Sequence, residues 1–339
     1  MGLESKILAA NTGELGVRFV DGKNRIKAEF PKGEAAFGTA ELEILRGDLA
    51  TILYDATKDN VEYIFGDQIT ALDDQESSVA VTFKNNPPRS FDLVVAADGI
   101  RSTTRTLMFG REPNIKYIGV YCAYLTIPKM ASDNSWAYWY NAPQSRVITL
   151  RPDNEGTTRA AFSFLSPDKG YEKLDLAAQK EILKQKFADA GWQVPRILAD
   201  LDTSNDVYLD GISQVKAPRW TNGRYAMVGD AAYCPTPMTG MGASLSIIGA
   251  YILAGELSRH DNCQKSFAAY EKLFRPYVED IQNLPPGVPW MAHPKTTFGI
   301  ALFNMVLGIA SSKTVRKLGK LFSGKKKKTK ERIKLPNYG

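Results

Sequence analysis

The residues best suited to chemistry lie within 223–257, where a short apolar run leads through a carboxylate into a glycine-rich turn. Residues 225–228 predict a buried strand, Asp230 follows it, and Gly240-Met-Gly242 opens a long apolar helix. A carboxylate at a strand end accepts hydrogen bonds from sugar or ribityl hydroxyls. Glycines admit a flat ring or phosphate, and the free N–H groups of a helix start favour negative charge. The stretch predicts a nucleotide-like ligand, although a Gly-Asp pair alone fits a plain strand-to-helix connection equally well.

A second apolar run, residues 91–97, ends in Asp98-Gly99. Continuous apolar runs of this length are typical of buried parallel strands, whose carboxyl ends gather ligands at one edge of a sheet. We therefore expect Asp98 and Gly99 at the same crevice as Asp230. Arg105, further along, is predicted to be a solvated residue of a helix start, and the role of Arg101 stays open.

Arg46 opens a third candidate segment, in which an extended stretch gives way to a helix with Leu49, Ile52 and Leu53 on one face. Its guanidinium keeps a permanent charge and offers a fork of donors, which suits phosphate or ring oxygens. Taken alone, an arginine in a first helical turn is better explained by a surface ion pair.

The chain has 339 residues, of which 44% are hydrophobic. This length and composition are enough for one large domain or two modest ones that position these residues. Three cysteines without metal spacing support neither a disulfide framework nor a zinc site. Two histidines do not favour a His-based triad or metal cluster. The N-terminus lacks the pattern of a signal peptide, so we expect a cytoplasmic, reducing location.

The basic charge of the chain belongs to one segment. Residues 313–334 hold 11 Lys/Arg and one Glu, a net +10, whereas the remaining 32 basic and 36 acidic side chains give −4. The mildly acidic body argues against a nucleic-acid-binding protein. The basic segment predicts either a solvated tail, which we favour, or contact with a membrane surface.

The pattern of predicted elements changes along the chain. Short strands are predicted at 17–20, 25–30, 61–65, 68–72 and 79–83, the first two as a hairpin. Residues 115–165 predict an antiparallel sheet, and helices are predicted at 174–190, 264–282 and 296–312.

The last helix lacks charge but is short for a membrane span, so a buried helix is expected. Four aromatic side chains of the sheet could line a pocket, although ordinary packing is the favoured interpretation for each: Tyr124, Trp136, Tyr138 and Phe162.

Three segments together resemble one protein family. The run G-D-A-A-Y-C-P-x-P-x-x-G-M-G-A-S at 229–244, D-L-V-V-A-A-D-G-I-R-S-x-x-R at 92–105 and E-I-x-R-x-x-L at 43–49 are similar to motifs of the FAD-dependent aromatic hydroxylases, the class A flavoprotein monooxygenases. The run at 229–244 also resembles the branch that includes tetracycline-inactivating monooxygenases, although Tyr233 and Ser244 depart from residues common in the family, so the branch and the substrate stay open. The resemblance implies no metal and no identifiable catalytic side chain. It implies these cofactor-binding residues: Arg46, Asp98, Gly99, Asp230, Pro237, Gly240, Met241, Gly242 and Ala243.

The resemblance also implies the fold and the reaction. We expect an α/β, glutathione-reductase-like FAD-binding domain interleaved with an antiparallel β substrate domain. The implied division is FAD-binding segments at 1–110 and 216–290, a substrate sheet at 111–215, and a C-terminal helix with a basic tail at 291–339. The enzyme would use FAD, NAD(P)H and O2 to hydroxylate or epoxidise a small aromatic or polyketide-type molecule, in secondary metabolism.

One family element is missing from the sequence, the N-terminal strand–GxGxxG–helix unit that holds the ADP half of FAD. The FAD-binding domain is therefore expected to be N-terminally incomplete. Three explanations stay open: a start upstream of Met1, which we favour, a second polypeptide, or a degenerate remnant. Two alternatives compete with the monooxygenase function. One is an inactive flavoprotein remnant or scaffold, and the other is a membrane-peripheral protein.

Overall fold

The computed structural model describes residues 2–33, 43–110, 114–285, 287–312, 315 and 333–339. The first part of the described chain forms these elements in order: α1 (Glu4–Ala9), β1 (Gly16–Val20), β2 (Ile26–Pro31), α2 (Arg46–Asp55), β3 (Ile69–Asp74), β4 (Val79–Phe83), β5 (Arg89–Phe91), β6 (Val94–Ala96), α3 (Thr103–Phe109) and β7 (Asn114–Pro128).

The second part continues the series. Its elements are β8 (Ala137–Ala142), β9 (Arg146–Pro152), β10 (Thr157–Leu165), α4 (Leu176–Phe187), α5 (Val194–Thr203), β11 (Val207–Lys216), β12 (Thr221–Asn222), β13 (Tyr225–Met227), α6 (Asp230–Tyr233), α7 (Gly242–Arg259), α8 (Cys263–Gln282), α9 (Val288–Ala292) and α10 (Thr297–Ser311).

The chain divides into two compact units. Unit 1 contains Met1–Tyr63, Gly119–Gly211 and Gly287–Lys326, and unit 2 contains Ile64–Ile118, Ile212–Pro286 and Lys327–Gly339. This interleaved α/β architecture confirms the predicted fold class. The predicted division by cofactor and substrate role, at residues 110, 215 and 290, stays a prediction.

Unit 1 is built on a seven-stranded sheet in the order β11-β7-β10-β9-β8-β1-β2. The β7, β10, β9 and β8 neighbours are antiparallel, and β1 joins β8 in parallel. The strands at 115–165 and the 17–30 hairpin are therefore confirmed. Along β10 each buried residue alternates with a half-buried one, because successive side chains point to opposite sides of a strand.

The two sides of this sheet differ. The closed face is lined by the side chains of Tyr121, Ala123, Ile148, Phe162 and Phe164, which are buried, and α4 packs on it through Phe187. The open face is lined by the alternate residues, of which Tyr124 is exposed, several are half-buried, and Cys122 and Asn141 are buried. Its members include Cys122, Tyr124, Trp139, Asn141, Thr149, Ala161 and Ser163.

Helix α10 covers one end of the open face. Leu307 is buried there with Phe19, Ala28 and Phe30, and Phe303 packs beside them. The prediction of a buried helix is wrong, because Leu307 is the one buried residue of α10 and Phe298 is 77% exposed. Among the described residues, α10 packs on the sheet on one side and is exposed on the other. None of the described helices is long and apolar enough to cross a membrane.

Unit 2 contains two three-stranded sheets, β12-β13-β6 and β3-β4-β5. Strands β6 and β13 are parallel, in the register Val94 with Tyr225 and Ala96 with Met227, as expected for the two apolar runs. Helices α7 and α8 pack against each other and complete the core. An aromatic group of buried side chains fills it: Trp220, Tyr233, Tyr270 and Phe274.

Candidate functional site

The parallel pair β6 and β13 brings the two predicted carboxylates to one edge of a sheet. Val228, just after β13, donates its backbone N–H to the carbonyl of Ala96, the last residue of β6, at 3.0 Å. Asp98 comes two residues after Ala96, and Asp230 comes three residues after Met227, the last residues of the two paired strands. The carboxyl edge of parallel strands is where open α/β sheets bind ligands.

Asp98 organises the loop that follows β6. Its carboxylate accepts hydrogen bonds from the Ser102 hydroxyl and from the Thr104 backbone N–H. Burial alone would raise the pKa of Asp98, but these donors outweigh it and hold the pKa below its ordinary value. Gly99 sits at φ +84°, a conformation that side chains disfavour, and so lets the chain turn away from the strand. Asp98 is thus ionised and fixed in position.

Arg105 corrects the prediction of a solvated residue. It is 3% exposed, and its guanidinium donates to the carbonyls of Ala231 and Ile100, both at 2.8 Å. These bonds tie α3 to the turn that contains Asp230. Sequence reasoning missed this role because the carbonyl of Ala231 lies 126 positions further along the chain.

The turn before α6 brings Asp230 to the start of α7. Gly229 has φ +64°, and a Cβ placed there would lie 2.8 Å from the Ser246 hydroxyl of α7, so only glycine allows this approach. A Cβ placed on Gly242 would lie 3.9 Å from Oδ1 of Asp230. The carboxylate therefore lies beside the first residue of α7, at ordinary van der Waals distance from where the side chain of residue 242 would begin.

The N-terminus of α7 is open. The helix has 18 residues, and no side chain caps it at Met241. The first intrahelical hydrogen bond runs from the Leu245 N–H to the Met241 carbonyl at 2.9 Å. The N–H groups of residues 242–244 therefore have no acceptor within the helix. Gly240 and Ala243 are exposed. Unpaired N–H groups at the positive end of a long helix favour an anionic ligand.

Pro237 begins the short 3-10 turn Pro237–Thr239 that precedes this helix start. The Thr239 hydroxyl accepts from the Met241 backbone N–H at 3.2 Å, and Gly240 adopts a left-handed conformation at φ +64°. The turn thereby sets the direction in which α7 starts. Eight of the nine predicted cofactor-binding residues, all except Arg46, therefore lie in unit 2.

Arg46 belongs to unit 1, where it is the exposed first residue of α2. Its charge acts on the hydroxyl of Tyr124 on the open face: the neighbouring Cys122 raises the pKa of Tyr124, and Arg46 opposes that rise. Arg46 is thus close enough for its charge to act on Tyr124, which the sequence analysis named as a possible pocket-lining aromatic.

The four aromatic candidates differ in the sheet face on which they lie and in the side chains that they contact. Phe162 is fully buried on the closed face and stacks on Phe187 with 4.3 Å between ring centroids, so the packing interpretation is confirmed for it. Trp136 lies under the Arg18 guanidinium at 4.3 Å, and Tyr138 accepts from the Asn134 amide. Tyr124 points from the open face and is 42% exposed. Of the four, Tyr124 is placed to meet a ligand of that face.

The described residues contain no group of three or more His, Cys, Asp or Glu side chains that could hold a metal ion. The three cysteines are free thiols. Burial raises the pKa of Cys122 to about 11, so this thiol is protonated at neutral pH.

Comparison with known proteins agrees with this geometry. A family model described as FAD binding domain matches residues 1–280. The chain is 34% identical to "FAD-dependent monooxygenase asL6" of Sarocladium schorii, across 100% of this chain and 85% of that protein. It is 33% identical to "Flavin-dependent monooxygenase eupH" of Phoma sp, with the same coverage.

Solved structures extend the comparison to the fold. Tetracycline destructase Tet(51) superimposes with a TM-score of 0.77 at 31% identity, over 100% of this chain and 84% of that chain. HpxO of Klebsiella pneumoniae, complexed with FAD and uric acid, has a TM-score of 0.72 at 18% identity, over 93% of this chain and 81% of that chain, and so shares the fold. The chain therefore belongs to the FAD-binding-domain family, as a class A flavoprotein monooxygenase with FAD as its cofactor.

Proposed function

We propose that the protein inserts one oxygen atom from O2 into a small aromatic or polyketide-type substrate, with NAD(P)H as the reductant. One observation carries this proposal: the carboxylate of Asp230 lies beside the uncapped start of α7, at 3.9 Å from where a Gly242 side chain would begin. A ligand with a hydroxyl-rich chain and an anionic ring would find a partner for each part there. The carboxylate would accept hydrogen bonds from the hydroxyls, and the N–H groups would stabilise the negative charge.

The residues proposed to hold FAD have distinct tasks. Asp230 would accept hydrogen bonds from the ribityl hydroxyls, and the backbone N–H groups of 240–243 would favour negative charge at the start of α7. Pro237 would shape the turn before α7, and the Asp98-Gly99 loop would support the same sheet edge. Arg46, in unit 1, is proposed to bind FAD on its resemblance to the family motif alone. The FAD, when bound, supplies the electron transfer from NAD(P)H and the activation of O2.

The protein itself supplies position and charge. Asp98 and Arg105 hold their loops through a part-buried and a buried hydrogen bond, so the protein itself positions the edge of the parallel pair. We propose that the substrate contacts the open face of the unit 1 sheet, where Tyr124 combines an exposed ring with a polar hydroxyl. The names of the relatives support a monooxygenase, and the substrate class is our proposal.

The test is the visible absorption spectrum of the purified protein with added FAD. We expect a bound-flavin spectrum, and at least a tenfold weaker affinity in Asp230→Ala, because the ribityl hydroxyls lose a charged acceptor worth about 1.5–3 kcal/mol. The matched control is Asp261→Ala, an exposed carboxylate just beyond α7. Equal FAD affinity in both variants would contradict the role of Asp230.

Turnover is tested next, as NAD(P)H oxidation and oxygenated product with a panel of phenols and polyketide fragments. Bound FAD with substrate-dependent oxidation supports the monooxygenase. A folded protein that binds no FAD would instead favour the scaffold alternative.

Contact with a membrane surface is a second candidate, and one observation favours it. The basic segment 313–334 lies outside the described residues except for Val315, Ile333 and Lys334, but α10, just before it, has an exposed apolar stripe. The stripe consists of Phe298, Leu302, Met305, Val306 and Ile309. Apolar side chains next to a net charge of +10 match an anionic lipid surface.

Vesicle pelleting tests this candidate. We expect the intact protein to pellet with anionic vesicles more than with neutral ones, and Phe298→Asp to weaken pelleting. Equal pelleting of the intact protein and a variant with its basic side chains at 325–328 replaced by Ser would exclude it. An intracellular location remains a prediction.

A further inference from the structure

The open face contains a hydrogen-bonded Ser–His pair that the proposed cofactor site does not use. Oγ of Ser163, on β10, lies 2.6 Å from Nε2 of His293, the residue that follows α9. His293 is 3% exposed, and Nδ1 of its ring lies 2.8 Å from the backbone carbonyl of Pro289. Sequence analysis gave no reason to connect these residues, which are 130 positions apart.

The hydrogen bonds fix the tautomer of His293. A carbonyl oxygen only accepts, so Nδ1 of a neutral ring carries the proton that goes to Pro289. Nε2 is then the acceptor, and the Ser163 hydroxyl must donate to it. Burial lowers the pKa of His293, more than the Pro289 bond raises it, so the ring is neutral near pH 7. The pair is therefore a buried base with its accepting nitrogen directed at a serine hydroxyl.

The serine connects the buried base to the open face. Ser163 is half-buried, whereas its neighbours Phe162 and Phe164 on the closed face are at most 1% exposed. The hydroxyl oxygen of Ser163 retains lone pairs after its proton is donated, so it can accept a further hydrogen bond from a ligand. Cys122 and Asn141 beside it on this face are buried, so a ligand would contact the pair through the accessible part of Ser163.

Attachment of the α9 segment does not by itself explain the pair. Asn141 donates from its side chain to the Ala292 carbonyl at 2.9 Å, and the Gln144 N–H donates to the Lys295 carbonyl at 2.7 Å. These two bonds already hold the segment on both sides of His293. An apolar side chain at 293 would fill a buried position without requiring a polar partner on the open face.

The titratable groups nearest the pair are Cys122 on β7 and, beyond it on β11, Asp210, whose charge raises the pKa of Cys122. Cys122 lies directly opposite Ser163 in the β7–β10 register and is a neutral thiol at ordinary pH. Asn141, from β8, does not titrate. Among the described residues, no charged side chain contributes to the shift in the pKa of His293. A negative charge arriving next to Ser163 would therefore be the main partner for a protonated imidazole there.

We propose that Ser163 and His293 form a proton-accepting pair that recognises an acidic hydroxyl of the substrate, of the phenol or enol class. The inference rests on the proposed function, because it takes the open face as the substrate face. The substrate O–H donates to Oγ of Ser163 while the serine proton moves to Nε2 of His293. The O–H bond of the substrate and that of the serine break, a new serine O–H bond and an N–H bond form, and no electrons are transferred.

The products of this step are a substrate oxyanion, a neutral serine and an imidazolium. The buried imidazole accepts the proton only when the oxyanion is present to pair with it, since burial alone disfavours its charge. An ionised hydroxyl makes an aromatic ring or enol more electron-rich and thus more reactive towards an electrophilic oxygen. Ser163 would touch the substrate, and His293 would act through it as a positioning residue and base.

The test uses 4-nitrophenol as the probe, because its anion absorbs visible light and its neutral form does not. Difference spectra are recorded as the probe is titrated into the FAD-loaded protein across a pH series. We expect the ionised fraction of the bound probe to exceed that of the free probe, with a fall of about one unit in its apparent pKa, a tenfold effect. Ser163→Ala and His293→Gln should abolish this fall.

Two variants separate proton transfer from structure. His293→Gln keeps an acceptor for Ser163 but no base, so it should bind the probe without ionising it. Ser163→Thr keeps the hydroxyl on a β-branched residue suited to a strand, so it should retain most of the fall in pKa. Thermal unfolding of each variant reports any general loss of structure.

The outcomes are distinct. A fall in the pKa of the probe that depends on both residues supports the pair. Absence of probe binding to the wild-type protein, or equal ionisation in wild type and His293→Gln, overturns it. Flavin binding and NAD(P)H oxidation are measured on the same samples, so a failed pair with intact flavin chemistry leaves the proposed function in place.

Discussion

The two faces of the seven-stranded sheet in unit 1 have the same backbone but different side chains. On β10, Phe162 points to the closed face and stacks on α4, while Ser163 points to the open face and meets His293. Burial of large apolar side chains on one face contributes stability, about 1.5–3 kcal/mol for each fully buried residue. The other face is less uniformly buried and has polar groups of defined geometry. Stability and the proposed ligand recognition are thus assigned to opposite faces of one strand.

The largest expected effect comes from the closed face. Phe162→Ala removes a fully buried ring that stacks on Phe187, and we expect a loss of about 3–5 kcal/mol in the free energy of unfolding. The matched control is Thr149→Ala, a half-buried open-face residue on the adjacent strand β9, with an expected loss under about 1 kcal/mol. Urea unfolding measures both. Equal losses would mean that the two faces do not differ in stabilising the sheet.

A second change tests the covered end of the open face. Leu307→Ala removes the buried contact of α10 with Phe19 and Phe30, and we expect a loss of about 2–5 kcal/mol. The control is Leu302→Ala on the exposed side of the same helix, which should cost under about 0.5 kcal/mol. If both variants unfold at the same urea concentration, α10 does not stabilise this face.

A third change tests the ionic contact that holds α5 at the edge of the sheet. Asp133 pairs with Arg196 and accepts from the Met130 N–H and the Thr158 hydroxyl. Burial would raise the pKa of Asp133, but these donors hold it below its ordinary value. Asp133→Asn should cost about 1–3 kcal/mol at pH 7.

The pH dependence gives the sign of this effect. Because the pKa is lowered on folding, the stability due to Asp133 is fully present above its ordinary value, about 3.9, and is lost as the pH falls through the lower value in the folded protein. The difference between wild type and Asp133→Asn should therefore shrink below about pH 4. A difference that stays constant from pH 7 to pH 3 would contradict the assignment.

The smallest effect on stability is expected at Tyr124. Tyr124→Phe removes a hydroxyl from an exposed ring of the open face, so the free energy of unfolding should change by under about 0.5 kcal/mol. The relative rates of NAD(P)H oxidation across a phenol panel should nevertheless change. Unchanged preferences would place the substrate away from this part of the open face.

The strands and helices with regular patterns could be predicted from the sequence. The runs at 94–96 and 225–227 form a parallel pair, as their continuous apolar residues predict, although Val95 in the middle of β6 is 41% exposed and so is not buried on both sides. The predicted strand at 61–65 is wrong. Tyr63 there packs on Tyr54 of α2 and its hydroxyl lies 2.6 Å from that of Thr57, so a local helix contact competes with strand pairing.

The candidate site was predictable in part. Asp98, Asp230 and the 240–243 turn are continuous motifs, so local sequence is enough to place them on a strand end and a helix start. Arg105 and the Ser163–His293 pair depend on contacts between residues 126 and 130 positions apart, and no local pattern encodes them. Long-range pairing of polar groups is decided by the fold, so it becomes visible only with the structure.

The interleaving of the two units has a genetic consequence. The chain passes through six alternating segments and so joins the units five times. Neither unit corresponds to a continuous stretch of the gene, so no single exchanged segment can replace a whole unit. The named residues of the open face nevertheless all lie in one segment, Gly119–Gly211. New substrate preferences are therefore expected to arise through codon changes or exchange within this one segment, and not through exchange of whole units.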